Sequence, residues 1–419
     1  MLKVKFLTFG CKVNQYETQL LREQFKKAGF LEVFKDELTS YYVINTCTVT
    51  AHADTDARNA CRVSLKKNPS AKIIITGCYK RKEWPKDIKN NKSVVFIENK
   101  CNLLNYLTKF RKKHALNYIS EFDGHSRAFV KIQDGCNNFC SYCKIPYVRG
   151  SSISRDPEEI LIEIDNLLKK GYEEIVLTGI CLGSFGKDLN PKLDLTKLLK
   201  LILAKKGHFR VRLSSIELTD ISKKLVSIIM NSPKVCKHLH IPLQSGDDKI
   251  LKDMNRHYSA STFSNIIKYI KKKIPKIAFT TDILLGFPGE DEESFKNTLE
   301  LLTNIRPMRM HIFTYSPRPG TLSYSKYAKE YKLTNFKELK ERRLTLESLN
   351  KEFSNEYSRL FIKNRLEVLV EGKKDGYYQG YTDNYINIKI KSCNSLKSRL
   401  LPIVIQRVTK DRVFAAALS

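Results

Sequence analysis

Apolar runs of strand length alternate with helical stretches along most of this chain, and few folds accept that alternation. In the first part the runs fall at 3–9 (KVKFLTF), 41–46 (YYVINT), 72–77 (KIIITG) and 93–98 (SVVFIE), with helical stretches such as 15–28 between them. Parallel neighbours need a crossover connection, usually a helix, so the rhythm predicts a parallel α/β sheet covered by helices. No GxGxxG follows the first run, so the usual dinucleotide-binding fold is not supported. Residues 100–127 are polar and lack a clear period, and a domain boundary is placed there. A second series follows, with strands near 128–133, 174–178, 209–214, 238–243, 277–284 and 309–314. Six βα units predict a partial, open TIM-like barrel, short of the eightfold ring. Its helix at 155–171 has Asp156 as N-cap, Pro157 at the first helical position and Gly171 as the stop.

A packing helix is expected from Asn335, with Glu338 three residues on, as in a capping box. Leu346, Leu349, Phe353, Tyr357 and Leu360 then recur at helical spacing. From about residue 362 the apolar period becomes two, with turns expected at Gly372, Asp375–Gly376 and Asp383–Asn384. That pattern predicts a small antiparallel β-barrel of the OB type, a common single-stranded RNA platform. The last 59 residues carry 11 Lys/Arg against 5 Asp/Glu, which suits such a platform. Tyr377, Tyr378, Tyr381 and Tyr385 are candidates to stack on bases, or to fill the barrel. The expected domains are therefore 1–115, 125–355 and 360–419.

The formal net charge is +30, from 74 basic and 44 acidic residues. Such an excess suits a polyanionic partner through counterion release at phosphates, or a solvated cationic surface. The basic residues cluster at 79–92, 109–114 and 271–276. No apolar run approaches the roughly 18 to 20 residues needed to span a bilayer. The start MLKVKFLTFGC has too short an apolar core for a secretory signal, and a cytoplasmic protein is expected. There are 11 cysteines, so metal or catalytic use is favoured over a disulfide framework.

Three cysteines lie within DGCNNFCSYCKIP: Cys136, Cys140 and Cys143, just after the first barrel strand. Barrel active sites sit at the carboxyl ends of the strands, so this loop faces the cavity. A structural zinc site wants four ligands, whereas a 4Fe–4S cube held by three Cys leaves one iron open. The CxxxCxxC spacing, with aromatic Tyr142 before the last Cys, resembles the radical S-adenosylmethionine (SAM) superfamily. That resemblance implies SAM bound at the open iron and reductive cleavage to a 5′-deoxyadenosyl radical. It also implies SAM packed against strand ends, here 177–186, 212–217, 240–246 and 281–290. Gly179 there would allow close backbone approach, and Ser215, Glu217 and Gln244 are candidate hydrogen-bonding side chains, or satisfied polar groups at strand ends.

A second set stands in the N-terminal sheet. Cys11 follows FLTFG, Cys47 follows YYVINT and Cys78 follows KIIITG. Three cysteines thus end three parallel strands, the edge where ligands bind in open α/β sheets. They read as ligands of a second three-Cys 4Fe–4S cluster, against the alternative of small buried hydrophobes. The whole chain from residue 3 onward resembles the methylthiotransferase family, through TFGCKVNQYE, VINTCTVT, ITGCY, GCNNFCSYCKIPYVRG, HIPLQSGDDKILKDMNR, DILLGFPGE and YSPRPGT. GCKVNQ and NTCTVT look most like the MtaB type, which acts on N6-threonylcarbamoyladenosine (t6A) at position 37 of tRNA. The isopentenyladenosine type typically has Gln–Met–Asn where this chain has Lys12–Val13–Asn14.

The resemblance implies two 4Fe–4S clusters, SAM, the tRNA anticodon stem-loop as partner, an electron donor such as a flavodoxin or ferredoxin, and a C-terminal TRAM domain that binds RNA. It implies replacement of hydrogen at adenine C2 by a methylthio group, with Cys11, Cys47, Cys78, Cys136, Cys140 and Cys143 as the catalytic cluster ligands. Rival readings are thiolation of isopentenyladenosine or of a ribosomal protein, and a non-catalytic iron–sulfur RNA-binding protein. Cys181 departs from relatives and receives no role, and Cys61, Cys101, Cys236 and Cys393 match no ligand motif.

Overall fold

The computed structural model describes residues 2–34, 37–98, 106, 117–331, 335–396 and 398–418. The N-terminal sheet has five parallel strands in the order Leu31–Glu32, Lys3–Thr8, Tyr41–Thr46, Lys72–Gly77 and Val94–Phe96. Its strands read as continuous apolar runs because both faces are covered. Val43 and Ile74 pack with Leu21 and Phe25 of helix Lys12–Lys27. Tyr42, Ile44, Ile73 and Ile75 point the other way, onto Ala57 and Cys61 of helix Ala51–Lys67. The first helix begins a turn earlier than its apolar period indicates, with Cys11 itself as N-cap.

The second domain has six parallel strands: Ala128–Lys131, Glu174–Thr178, Arg210–Leu213, His238–His240, Ala278–Leu285 and Arg309–Thr314. They form two triplets joined by the bridge pairs Val211–Val235 and Ser215–His240. No pairing closes the first strand onto the last among the described residues, so the barrel is open. Val130, Ile175, Leu177, Val211 and Leu213 pack outward against the helices. Lys131, Glu174, Arg210, Arg212, His238, His240, Thr280 and Asp282 fall on the alternate, inward positions. Buried charges persist only when paired. Glu174 accordingly binds Arg127, Arg210 and Arg212 at 3.3, 2.6 and 2.9 Å.

Helix Phe336–Arg359, capped by Asn335, buries Leu346 and Phe353 in the barrel core. The chain then closes a five-stranded barrel from Arg365–Lys374, Tyr377–Thr382, Asn387–Ile390, Leu400–Val408 and Val413–Ala417. Three features of this part differ from the sequence reading. Asn387–Ile390 and Val413–Ala417 pair in parallel, because the chain between them runs through Leu400–Val408, from which Val413–Ala417 folds back antiparallel. Gly372 lies within a strand, at a register shift after Val370, not in a turn. Tyr381 and Tyr385 are unavailable for base stacking. They stack on each other at 4.7 Å, Tyr385 stacks on His238 at 4.5 Å, and Arg127, Arg212 and Arg309 cover their rings. Tyr378 is buried in the small barrel's core, and Tyr377 packs on Phe414.

The parts interlock. Arg210 and Arg212 reach from the large barrel to the carbonyls of Glu367, Tyr381, Thr382 and Asp383 in the small one. Helix Lys12–Lys27 lies against strand Ala128–Lys131, and Tyr16 enters the large barrel's core. The end of the stretch expected to be linker contributes too, since Ile119 and Phe122 are buried in that core. Its basic run at 109–114 and Cys101 lie outside the described residues. No described helix is long and apolar enough to cross a membrane.

Candidate active site

The three N-terminal cysteines stand at the carboxyl ends of adjacent strands, and a few polar side chains draw their loops together. Asn14 donates to the carbonyls of Phe9 and Thr46 at 2.7 and 2.8 Å, tying the Cys11 loop to the Cys47 loop. Asn45 returns a bond to the Asn14 carbonyl at 2.9 Å. The Thr46 carbonyl accepts from the Cys78 amide at 3.0 Å, and its hydroxyl accepts from the Tyr79 amide at 3.0 Å. Gly10 has φ +101°, and a Cβ there would lie 2.5 Å from Cys47 Cβ. Only glycine permits that approach in that conformation.

The loop of Cys136, Cys140 and Cys143 is strapped to the barrel rim. Ser141 donates to the Met254 and Asp253 carbonyls at 2.9 and 2.7 Å. Asn255 donates to the Phe139 carbonyl at 3.0 Å. Tyr142 packs beside Ile250, Met254, Phe287 and Tyr315, which anchors the loop from below. Arg256 donates to Cys140 Sγ at 3.3 Å and to both Glu217 oxygens. Cys181 stands beside Cys136 and is itself held by Ser184 Oγ at 3.1 Å and by Gln133, which accepts from its amide at 2.8 Å.

Arg149 connects the two sets. It lies six residues beyond Cys143 in the chain, yet its Nε donates to Cys78 Sγ at 3.1 Å. The same guanidinium binds Glu17 at 3.1 Å, Asp134 at 2.8 Å and Asn14 Oδ1 at 2.5 Å. Both cysteine sets thus border one junction between the N-terminal sheet and the barrel.

Within each set the thiols are electrostatic neighbours. Burial pushes the Cys47 thiol up to about 11, the Cys143 thiol up to about 12, and the Cys78 thiol upward. A hydrogen bond from Cys181 outweighs the opposing effect of burial and draws the Cys136 thiol down. Raised thiols are poor free nucleophiles but remain competent metal ligands, since metal binding displaces the proton.

The radical SAM superfamily model matches residues 130–302, and the model of the uncharacterized protein family UPF0004 matches residues 3–97. The threonylcarbamoyladenosine tRNA methylthiotransferase MtaB of Bacillus subtilis is 34% identical, over 97% of this chain and 94% of its own. The MtaB of Thermotoga maritima is 37% identical, over 92% and 91%. The chain belongs to the radical SAM methylthiotransferase family. A Clostridium botulinum tRNA-2-methylthio-N(6)-dimethylallyladenosine synthase is 36% identical but aligns over only 75% of this chain and 74% of its own. Among solved structures, the radical SAM methyltransferase TsrM of Kitasatospora setae shares the fold, with TM-score 0.57 over 78% of each chain at 11% identity.

As a radical SAM methylthiotransferase the chain uses SAM and 4Fe–4S clusters. The remaining residues singled out in the sequence are spread around the rim. A Cβ on Gly179 would come 2.9 Å from Gln133 Oε1, so that backbone is tightly seated. Ser215 bridges to His240 between the strand triplets. Gln244 holds φ +71° and pairs by its backbone with Asp282 and Leu284. Glu217 is taken up by Arg256. Arg149, Arg256, Asn14, Asn45 and Thr46 received no role from the sequence, although each lies inside or beside a quoted motif. Deeper in, burial opposes ionisation of Asp282, but hydrogen bonds from His240 and His311 hold it well below the usual carboxylate range. Lys12, next to Cys11, is pushed down to about 8 by burial and then by Arg127 and Arg212. Outside the junction, Lys80, Arg81, Lys82, Lys89, Lys144 and Tyr147 line a groove of about 940 Å³ between the two domains, together with Glu83 and Glu98, which pair with Lys144 and Lys80.

Proposed function

We propose that this methylthiotransferase converts t6A at position 37 of tRNA to its 2-methylthio derivative. The observation that carries the reading is Arg149, whose contact with Cys78 brings the N-terminal thiols to the loop of Cys136, Cys140 and Cys143. Adenine C2 bears no acidic proton, so general base catalysis has little purchase there. When bound, SAM and the clusters supply a carbon radical that removes this hydrogen and a methylated sulfur that replaces it. In this reading Cys136, Cys140 and Cys143 hold the SAM-binding cluster, and Cys11, Cys47 and Cys78 hold the sulfur-delivering one. Tyr142, Gly179, Ser215, Glu217 and Gln244 shape the SAM side, Glu217 being oriented by Arg256.

The target base leaves the anticodon-loop stack to enter the junction, at a cost that loops bear more cheaply than duplexes. The side of this groove formed by Arg81, Lys82 and Lys89 suits the phosphates of the flanking stem-loop. The C-terminal barrel adds basic surface as the TRAM platform. A flavodoxin or ferredoxin supplies the electron, and the cytoplasm supplies the tRNA. The MtaB enzymes of Bacillus subtilis and Thermotoga maritima align nearly end to end, and this favours t6A over the dimethylallyl substrate. The test is anaerobic reconstitution with two anticodon stem-loops, one bearing t6A and one bearing isopentenyladenosine. Thiolation of the t6A stem-loop alone is expected. Thiolation of the isopentenyl stem-loop alone would overturn the substrate while keeping the chemistry.

A further inference from the structure

Glu174 and Asp282 both point into the large barrel, but they keep different company. Glu174 is held by three arginines. Asp282, with only 20% of its side chain exposed, forms no ion pair with Lys or Arg among the described residues. It faces two imidazoles instead. His311 Nδ1 lies 3.1 Å and His240 Nε2 lies 3.2 Å from the same oxygen, Oδ1. One donor atom from each of the three residues lies within 4.8 Å of the other two. The sheet builds this convergence. Asp282 is the register partner of His311, and His240 is that of Thr280, two residues before Asp282 and so on the same face. The two imidazole rings stack at 5.2 Å.

Buried charges are paired or coordinate metals. Hydrogen bonds to a carboxylate are typically about 2.7–2.9 Å, shorter than either distance here. Donors about 2.1 Å from an ion stand about 3.0 Å apart at right angles and about 3.4 Å apart at tetrahedral angles, which brackets both. A ligating histidine also needs a partner on its other ring nitrogen. Thr280 Oγ1 supplies one, 2.9 Å from His240 Nδ1 and 2.9 Å from Nε2 of buried His238. By accepting from His240 Nδ1 and donating to His238, that hydroxyl leaves the His240 Nε2 lone pair free on the Asp282 side. We propose that His240, Asp282 and His311 form a binding site for one divalent first-row transition-metal ion, separate from both cysteine sets. Two imidazoles and a carboxylate suit zinc, iron(II) or manganese(II) and leave coordination positions open. His311 is 45% exposed, so the ion has a way in. The site lies just below the rim, where Ser215 bridges to His240 and the Gln244 amide donates to the Asp282 carbonyl at 2.8 Å. Its open positions are thus available to water or to an oxygen donor of a bound substrate.

The test titrates manganese(II) into untagged, cluster-loaded enzyme under anaerobic conditions, after excess iron is removed. Free manganese(II) is read by electron paramagnetic resonance, in which oxidised 4Fe–4S clusters are silent. Wild type is expected to bind one ion per chain with Kd below about 1 mM. The bound ion is expected to show nitrogen couplings from two imidazoles in the pulsed experiment. Asp282→Asn and His311→Gln are each expected to weaken binding at least about tenfold, a loss that even outer-shell changes can cause. Iron content and circular dichroism show whether each variant folds. If Asp282→Asn does not, the half-exposed position of His311→Gln carries the comparison. No binding by wild type below about 1 mM overturns the proposal. So does unchanged binding in His311→Gln, or a bound ion without imidazole couplings. None of these readouts involves tRNA, so the t6A reading stands or falls separately.

Discussion

Arg149→Met is the most informative single change, because one guanidinium spans the junction. Arg149 is 5% exposed and binds Glu17, itself 1% exposed, together with Asp134, Asn14 and Cys78. Methionine keeps much of the volume and removes the charge. Lys131, at 3.1 Å from Glu17 and 3.0 Å from Asp134, is then left to serve both carboxylates. Breaking a buried ion pair by removing one partner costs about 3–5 kcal/mol. Lys131 compensates part of that, so the lower figure, about 3 kcal/mol, is expected against the docked arrangement. If docking limits sulfur delivery, thiolation kcat/KM falls about 100-fold. Arg149→Lys keeps the charge but loses the fork, and an intermediate loss is expected. The assay pairs thiolation of a t6A stem-loop with reductive SAM cleavage, read as 5′-deoxyadenosine, on the same reconstituted enzyme. Cleavage should stay within a few-fold of wild type. Thiolation within twofold of wild type would refute the reasoning, as would equal loss of both activities.

Other expected outcomes concern the clusters and one buried acid. Replacing Cys11, Cys47 or Cys78 with Ala abolishes thiolation and leaves reductive SAM cleavage measurable, whereas replacing Cys136, Cys140 or Cys143 stops cleavage. Full thiolation without the N-terminal thiols would sink the two-cluster assignment. Gly10→Ala forces Cys47 aside, because its new Cβ would meet Cys47 Sγ at 2.7 Å. Iron analysis should show loss of one cluster, and unchanged iron would contradict it. Glu290 is raised from 4.5 to about 7 by burial, since its partner Arg342 is shared with Glu292 and Glu338. A carboxyl raised on folding contributes fully below pH 4.5 and loses that contribution as pH rises through 7, here about 3 kcal/mol. Thermal unfolding of wild type should therefore weaken relative to Glu290→Gln between pH 5 and 8, and parallel profiles would count against this.

Local pattern carried most of the architecture. The strands at 41–46 and 72–77 match their apolar runs residue for residue, because a run covered on both faces has sharp polar ends. Asp156 and Asn335 cap as their side chains suggest. Partners distant in sequence were not legible. Arg149 and Arg256 are ordinary basic residues until the fold sets Cys78 and Cys140 beside them. An aromatic in a basic β module reads the same whether a base or an arginine covers it, which is why Tyr381 and Tyr385 misled. Alternation along a strand also says nothing of its neighbour's direction, so the parallel pair in the small barrel was hidden. Ile119 and Phe122 were too few to impose a period on the polar stretch around them.

The central claim is tested most directly by nucleoside mass spectrometry of tRNA from cells with and without this gene. The account predicts that 2-methylthio-t6A disappears and t6A accumulates when the gene is removed. An unchanged set of tRNA nucleosides would contradict it.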